Sequence, residues 1–446
     1  MSNEHPTLAV IGAGVAGLTA AWLLQHKHKV DLFDGNAYAG GHSRTVIVPN
    51  GPDKGTPIDT GFIVMNHRNY PLFCELLNKL SIRTGESDMS FSFHCERSGY
   101  AYAGSSLNTL FAQRRNLMQP SHWHMIRDIL KFNRIAWHDL ENGYDRKETL
   151  GEYVKRHRFG RPFATRYLYP MGSAIWSSPG RHIKHFPSRA FLQFFRNHGL
   201  LTLKNRPQWR YVAGGSKTYV RAMLNSFSGR LLLEQPVRHV ERAADGVEIQ
   251  TASGRIRQYD RVVIAAHADQ ALRMLSNPTS AEQGALGAWR YQENEANLHT
   301  SEAVMPPVAK AWASWNFMHE RSVRDDRPVS VTYHMNRLQK LHTRRSYFVT
   351  LNRNQRIPIE HVIDHTTFTH PMYTFDSVAS QDRLPSLYKN GPVYFCGSYF
   401  GFGFHEDAVR SAVKVAECLG VSFAEAQVTP RPVSARSLPF AENVFA

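Results

Sequence analysis

Residues Gly12-Ala13-Gly14-Val15-Ala16-Gly17 satisfy G-x-G-x-x-G, and Asp34 stands 22 residues after Gly12. The chemistry these types allow at that spacing is the binding of a dinucleotide pyrophosphate. Gly12 permits a tight turn, Gly14 lets the backbone approach the phosphates, and Gly17 lets the next helix pack closely on a strand. The helix N-terminus presents free N–H groups to the anion. Asp34 is placed to accept hydrogen bonds from ribose hydroxyls. Glycine turns recur at Gly40-Gly41-His42-Ser43-Arg44-Thr45 and at Asp59-Thr60-Gly61-Phe62. Another runs from Gly397-Ser398-Tyr399 through Phe402-Gly403-Phe404-His405 to Ala408. In that last loop His405 is a candidate acid–base residue, because an ordinary imidazole titrates near neutrality. Tyr399 and Phe402 accompany it, while Trp176, Asn197 and His198 are candidates for a substrate wall.

The elements that must position these residues follow from their pattern. Residues 7–11 read as a short buried strand, 18–25 as a helix and 30–33 as the next strand, ending at Asp34. That is the strand–turn–helix–strand context the fingerprint requires. Residues 393–396 form another apolar strand running into the last glycine turn, and 406–419 show helical periodicity. Residues 123–140 read as a helix, and 309–317, 329–333 and 347–351 as strands.

Composition narrows the class. The 446 residues are 42% hydrophobic and 20% charged, which fits a globular chain with a large core and excludes a disordered one. Four scattered cysteines, Cys74, Cys95, Cys396 and Cys418, suggest neither a disulfide framework nor a zinc site, and a reducing compartment is the simplest reading. No apolar run approaches the roughly 18 residues that span a bilayer. A strand begins almost at the N-terminus, which leaves no room for a signal peptide, so a cytoplasmic location is expected.

The net charge of +16 is unevenly placed: residues 153–221 contain 14 Lys or Arg, 13 aromatics and no acid. A solvated basic face over an aromatic core, an anionic membrane surface and a polyanion all fit this pattern. No nucleic-acid-binding signature is present, so lipid contact at the inner face of the membrane is preferred over nucleic acid.

These motifs resemble the flavin-containing amine oxidase superfamily, which includes carotenoid desaturases, protoporphyrinogen oxidases and fatty-acid double-bond isomerases. The resemblance covers about residues 7 to 420, with the N-terminal fingerprint, the segment from Gly40 to Thr45 and the F-C-G-x-Y unit at Phe395 in the expected order. It implies an α/β fold: a Rossmann-like FAD domain with an inserted mixed α+β substrate domain. The FAD domain would be discontinuous over 1–84, 206–275 and 385–425. Insertions 85–205 and 276–384 would form the substrate domain, and 426–446 an irregular arm.

The strings IDTGFIVMN, YPMGSAIWS, FRNHGLL and FCGSYFGFGFHEDAVRSA are similar to a bacterial subgroup of FAD-dependent oxidoreductases often encoded beside cyclopropane-fatty-acid synthases. The resemblance implies non-covalent FAD. It would be held by Gly12, Gly14, Val15, Ala16, Gly17, Asp34, Gly35, Gly40, Gly41, His42, Ser43 and Arg44. Thr60, Gly61, Phe62, Val237, Ala265, Gly397, Ser398, Phe404, His405 and Ala408 would complete the site.

The implied activity is oxidation or desaturation of a fatty acyl chain by hydride transfer to flavin N5, with oxygen or a quinone as electron acceptor. An amine oxidase, a redox-neutral isomerase and a non-catalytic flavin-bound accessory protein are the alternatives. No metal is expected. Two departures weaken direct transfer of amine oxidase chemistry. His42 stands where many members have Arg, and Ser398 where amine oxidases have an acid. Lys310 lies near the position of the water-binding lysine of amine oxidases.

Overall fold

The computed structural model describes residues 5–320, 329–388 and 391–426. Most of the expected C-terminal arm, from residue 427 on, lies outside the described residues.

A five-stranded parallel sheet carries the fingerprint. Its spatial order is Val393–Phe395, Arg261–Ile264, Thr7–Ile11, Lys29–Phe33 and Arg230–Leu232. Thr7–Ile11 sits in the middle, with Val10 paired to Val263 on one side and to Leu32 on the other. These strands read as nearly unbroken apolar runs because both faces are covered. All ten residues of the helix Val15–Leu24 are buried, which is why its sequence shows no polar face. It packs between the sheet, the helix Lys217–Asn225 and the C-terminal helix His405–Cys418.

A seven-stranded sheet forms the second body. Its order is Val362–Met372, Arg290–His299, Phe348–Leu351, Val331–His334, Trp315–His319, Phe91–Cys95 and Tyr100–Ala103. Only the pair Trp315–His319 with Phe91–Cys95 is parallel, so the sheet is mixed. The expected strand over 309–317 is corrected: Ala309–Ala311 is a 3-10 turn and the strand begins at Trp315. Trp312 explains the break, since its indole N–H donates to Pro306 O at 2.7 Å and ties the chain into a loop.

Residues 153–221 fold into short helices from Arg161–Phe163 through Ser188–Asn197 and then a strand and helix of the first body. Phe163, Phe191 and Phe195 are fully buried in one core cluster. Most aromatics there build the interior, while Tyr167, Tyr169, Trp209 and Tyr211 are half-buried, and Arg156 of the same segment is paired with Glu148.

One buried acid couples the C-terminal helix to the rest. The Glu406 carboxylate accepts the N–H groups of Leu72 (3.2 Å) and Phe73 (3.0 Å), which begin the helix Pro71–Lys79. Glu406 therefore satisfies a neighbouring helix N-terminus, not its own. Burial nevertheless pushes its pKa from 4.5 up to about 7. The folded state thus favours the neutral acid, and this stability is full below about pH 4.5 and is lost as pH rises through about 7. Urea denaturation at pH 5 and pH 8 tests it. The parent should lose roughly 3 kcal/mol more than Glu406→Gln over that interval; equal losses would show that Glu406 ionises normally.

Candidate functional site

The chain crosses over at the C-terminal ends of the parallel strands, and a cavity of about 1420 Å³ opens there. That exceeds the usual pocket of one small ligand, about 300–1,000 Å³. Glycine makes the opening. Gly12 has φ +103°, and a Cβ there would sit 2.7 Å from Ala265 O. A Cβ on Gly17 would lie 1.8 Å from Gly12 O and 3.1 Å from the Ala265 side chain, so Gly17 serves helix–strand packing and does not line the cavity. A Cβ on Gly14 would meet nothing within 4 Å; it would project into open space.

The second glycine turn closes over the first. Gly40 N–H donates to Ala13 O at 2.8 Å, and a Cβ on Gly41 would approach Gly14 Cα to 3.2 Å. Asp34 Oδ2 accepts Ala13 N–H at 2.7 Å, while Oδ1 accepts the Asn36 N–H at 2.8 Å. The acid thus fixes the turn and retains lone pairs for ribose hydroxyls.

Of the residues expected at a cofactor, Gly12, Gly14, Val15, Ala16, Asp34, Gly35, Gly40, Gly41 and His42 line this cavity. Gly61, Phe62, Val237, Ala265, Gly397, Ser398, Phe404, His405 and Ala408 do so as well. Ser43, Arg44 and Thr60 do not. Ser43 Oγ bonds the Tyr219 hydroxyl and sits 3.0 Å from His405 Nε2. Arg44 grips Asp364 with a 2.8 Å bond from Nη2 to Oδ1, and its Nη1 donates to Thr60 Oγ1 at 3.3 Å. These three brace the glycine turns from behind.

His405 is also corrected. Its ring stacks on Phe62 with centroids 3.6 Å apart, and Nε2 also meets the Tyr219 hydroxyl at 3.1 Å. Burial lowers its pKa to about 3, so it stays neutral and positions the loop without shuttling protons at ordinary pH. Tyr399 remains at the cavity wall, 1% exposed, with a hydroxyl that has no hydrogen-bond partner. Burial holds that hydroxyl's pKa well above 10, so it can donate a hydrogen bond but not act as a base.

The substrate-wall candidates converge. Phe194, contributed by the helix Ser188–Asn197, stacks on His198 (centroids 3.8 Å) and Phe404 (5.1 Å), and meets Trp176 at a tilt (4.7 Å) and Phe402 edge-on at 5.7 Å. Trp176, His198 and Phe402 line the cavity. Asn197 does not; its side chain takes a 2.6 Å bond from Gln193 and its carbonyl one from Asn69, facing the helix flank. Asp407 holds this loop by accepting Phe402 N–H (2.9 Å) and Phe404 N–H (3.1 Å).

The sequence reading missed two histidines. His42 sits against Phe368 (4.8 Å), His370 (5.3 Å) and His267 (6.3 Å), and all three imidazoles line the cavity. Burial first, then mutual repulsion, keeps His42 well below the usual imidazole range. His267 directly follows Ala266 at a strand end, a signal that was available. His370 lies more than 300 residues from His42 and carried no local signal.

Residues 15–315 match the model of the flavin containing amine oxidoreductases, and the chain belongs to that family. It is 25% identical to an L-amino-acid oxidase of Mus musculus over 311 residues, which is 65% of this chain and 46% of the relative. This chain therefore spans under half the length of that relative. The fold is shared with a CLA-producing fatty acid isomerase from P. acnes (TM-score 0.66, 13% identity, 94% of this chain and 99% of that one). It is shared equally with a putrescine oxidase bound to putrescine (TM-score 0.64, 14% identity, 93% of this chain and 98% of that one).

The cofactor is FAD, and the open cradle at Gly14, facing the free N–H groups of the helix Val15–Leu24, fits its pyrophosphate. Asp34, Gly35 and Val237 would hold the adenosine end, and Gly397, Ser398 and Phe404 the far end. All four cysteines are free thiols and none lines the cavity, which fits a non-covalent flavin.

Two outcomes follow. Gly14→Val should fold, because nothing occupies the space of the new side chain, yet weaken FAD binding by more than about a hundredfold, ~3 kcal/mol. Asp34→Ala should weaken it less. Circular dichroism checks the fold and an equilibrium FAD titration the affinity; unchanged affinity for Gly14→Val would move the pyrophosphate elsewhere. Acid precipitation of the yellow protein should leave the flavin in the supernatant, and colour in the pellet would show a covalent bond.

Proposed function

We propose that this protein is an FAD-dependent oxidoreductase acting on a fatty acyl chain. One observation carries the reading: away from Asp34 the cavity wall contains no carboxylate and no lysine. A second arm of the cavity runs between the mixed sheet and the helix Pro120–Glu141, past Met89, Phe91, Ile129, Tyr167, Met171 and Tyr333. Such a lining suits an alkyl chain, whose burial gains about 0.8 kcal/mol per methylene. It offers an ammonium group no carboxylate, only aromatic faces and hydroxyls, and desolvating a cation without a counter-charge is costly. Lys310, the candidate for an amine oxidase lysine, is exposed on its 3-10 turn and away from the cavity.

When bound, the flavin supplies a hydride acceptor. The chain's own part is positional. Phe194, Phe402, Phe404 and Trp176 pack together into one apolar stretch of the cavity wall. The unpartnered Tyr399 hydroxyl is a donor held at the same wall. His198 bonds Phe194 O through Nδ1 (3.0 Å), and its pKa falls to about 4, so it stays neutral and adds no charge to the site. Net oxidation would pass electrons on to oxygen or a quinone. A redox-neutral double-bond shift is the second reading, favoured by the shared fold with a fatty acid isomerase and by the same apolar arm.

Anaerobic mixing discriminates among these. Unsaturated or saturated long-chain acyl lipids should bleach the flavin absorbance, whereas putrescine and L-amino acids should not. Product formed anaerobically over many turnovers without bleaching would identify the isomerase. Bleaching by amines alone would refute the acyl reading. Ile129→Trp, which narrows the apolar arm, should slow the reaction of long chains by at least about tenfold relative to short ones.

A further inference from the structure

Around the mouth of the cavity the surface departs from what an ordinary soluble face looks like. Leu107 is 77% exposed, Leu130 46% and Leu203 66%, and all three line the entrance. Met118 is 85% exposed and Trp123 48%, on the 3-10 turn Arg114–Met118 and the helix Pro120–Glu141 that follow Leu107. Exposed apolar residues scattered singly need no explanation, but a cluster at the opening of an apolar cavity does. Of these side chains, Trp123 is fixed by a local bond. Trp123 N–H donates to Leu117 O at 2.9 Å, and its ring lies 5.2 Å from Phe111.

The charge around them is mainly positive, although Glu141 accepts the Trp137 indole N–H at 2.7 Å and Arg127 lies 3.5 Å from Asp128. Residues 104–137 contain Arg114, Arg115, Arg127, Lys131 and Arg134 and one acid, Asp128. Asp128 is 2% exposed and accepts Gly160 N–H at 2.7 Å, so it offers little outward negative charge. Across the mouth, Leu203 is followed by Lys204 and Arg206, with no acid from 199 to 208. On the helix Pro120–Glu141, Trp123, Arg127, Leu130, Arg134 and Trp137 recur at three- and four-residue steps and are all exposed. They share one face, while Met125, Phe132 and Ala136 fill the other. Aromatic and aliphatic tips interleaved with Arg on one helix face match the interface of an anionic bilayer.

We propose that this rim, formed by residues 107–137 with the loop at 203–206, docks on an anionic lipid bilayer and sets the cavity mouth against it. Charge complementarity and the continuity of the rim with an apolar cavity favour a membrane over a protein partner. The arrangement goes beyond the acyl reading of the site and extends it: a chain leaving the bilayer would enter the cavity without crossing water. Of the basic segment 153–221 it uses only the loop at 203–206; most of the segment's aromatics are internal.

Vesicle flotation of the flavin-loaded protein tests this without turnover, so its outcome is separate from that of the flavin-reduction experiment. The parent should float with phosphatidylcholine–phosphatidylglycerol vesicles, weakly with phosphatidylcholine alone, and less at high salt as screening sets in. Leu107→Glu, Met118→Glu and Leu203→Glu combined should lower binding at least about tenfold. Flavin content and thermal midpoint should stay those of the parent, as these side chains are exposed. Arg156→Glu with Arg158→Glu and Arg181→Glu should bind like the parent. The proposal is overturned if the parent fails to float at low salt or the rim variant floats equally. It is overturned too if only the 156/158/181 variant loses binding. A parent that self-associates through the rim in light scattering yet ignores vesicles would make the face an interface between copies.

Discussion

The site rests on a steric exclusion: there is no room for a Cβ where the first strand turns into its helix. At Gly12 and Gly17 the missing methyl lets three backbones meet, those of the turn, of the helix and of Ala265 at the end of the neighbouring strand. At Gly14 the same absence does the opposite, leaving a space that no protein atom fills. The crevice is therefore made by side chains that are not there. It falls at the strand ends, where open parallel sheets hold their ligands. The second glycine turn and the C-terminal loop then close on this crevice, and Asp34, Asp407 and Glu406 fix the closure through backbone N–H groups.

Polarity is partitioned by that arrangement. The three acids that order the loops accept main-chain N–H groups, and Asp34 and Asp407 also hold the side chains of Asn36 and Arg410. The histidines at the wall are held neutral by burial, so the cavity's field comes from oriented backbone groups more than from ionised side chains. The strong positive excess of the chain is expressed on the surface. The cavity wall carries one carboxylate, Asp34, against several basic side chains, so its field and that of the mouth lean to the positive.

The fingerprint was legible because its parts are local. A strand, a turn and a helix within some 25 residues must satisfy steric rules that few residue types meet, so position and role could both be read. The strand Thr7–Ile11 and the C-terminal helix fell within a few residues of their expected bounds for the same reason. What escaped depends on distant contacts. Ser43 and His405 lie 362 residues apart, and nothing in either segment tells that one occupies the other. Glu406 stands at the start of its own helix in the sequence, yet it caps another one, 333 residues away. The segment 153–221 stayed open because composition records charge and aromaticity but not which way side chains point; most of its aromatics went inward, which fits the basic face over an aromatic core.

The rim shows the complementary failure. Its basic residues are fewer than those of 153–221 and broken by apolar ones, so a charge count passes over it. Only the helix face makes the pattern visible, because Trp123, Arg127, Leu130 and Arg134 are neighbours in space and not in sequence. A soluble helix normally turns its apolar stripe to the core and its charges to water. This one has a buried stripe and, opposite it, an outer face that mixes tryptophan, leucine and arginine. Exposed apolar area of that kind lowers solubility unless something covers it. Its location beside an entrance lined by leucines is what the proposed docking rests on, in which a bilayer would supply both the cover and an alkyl chain from the same source.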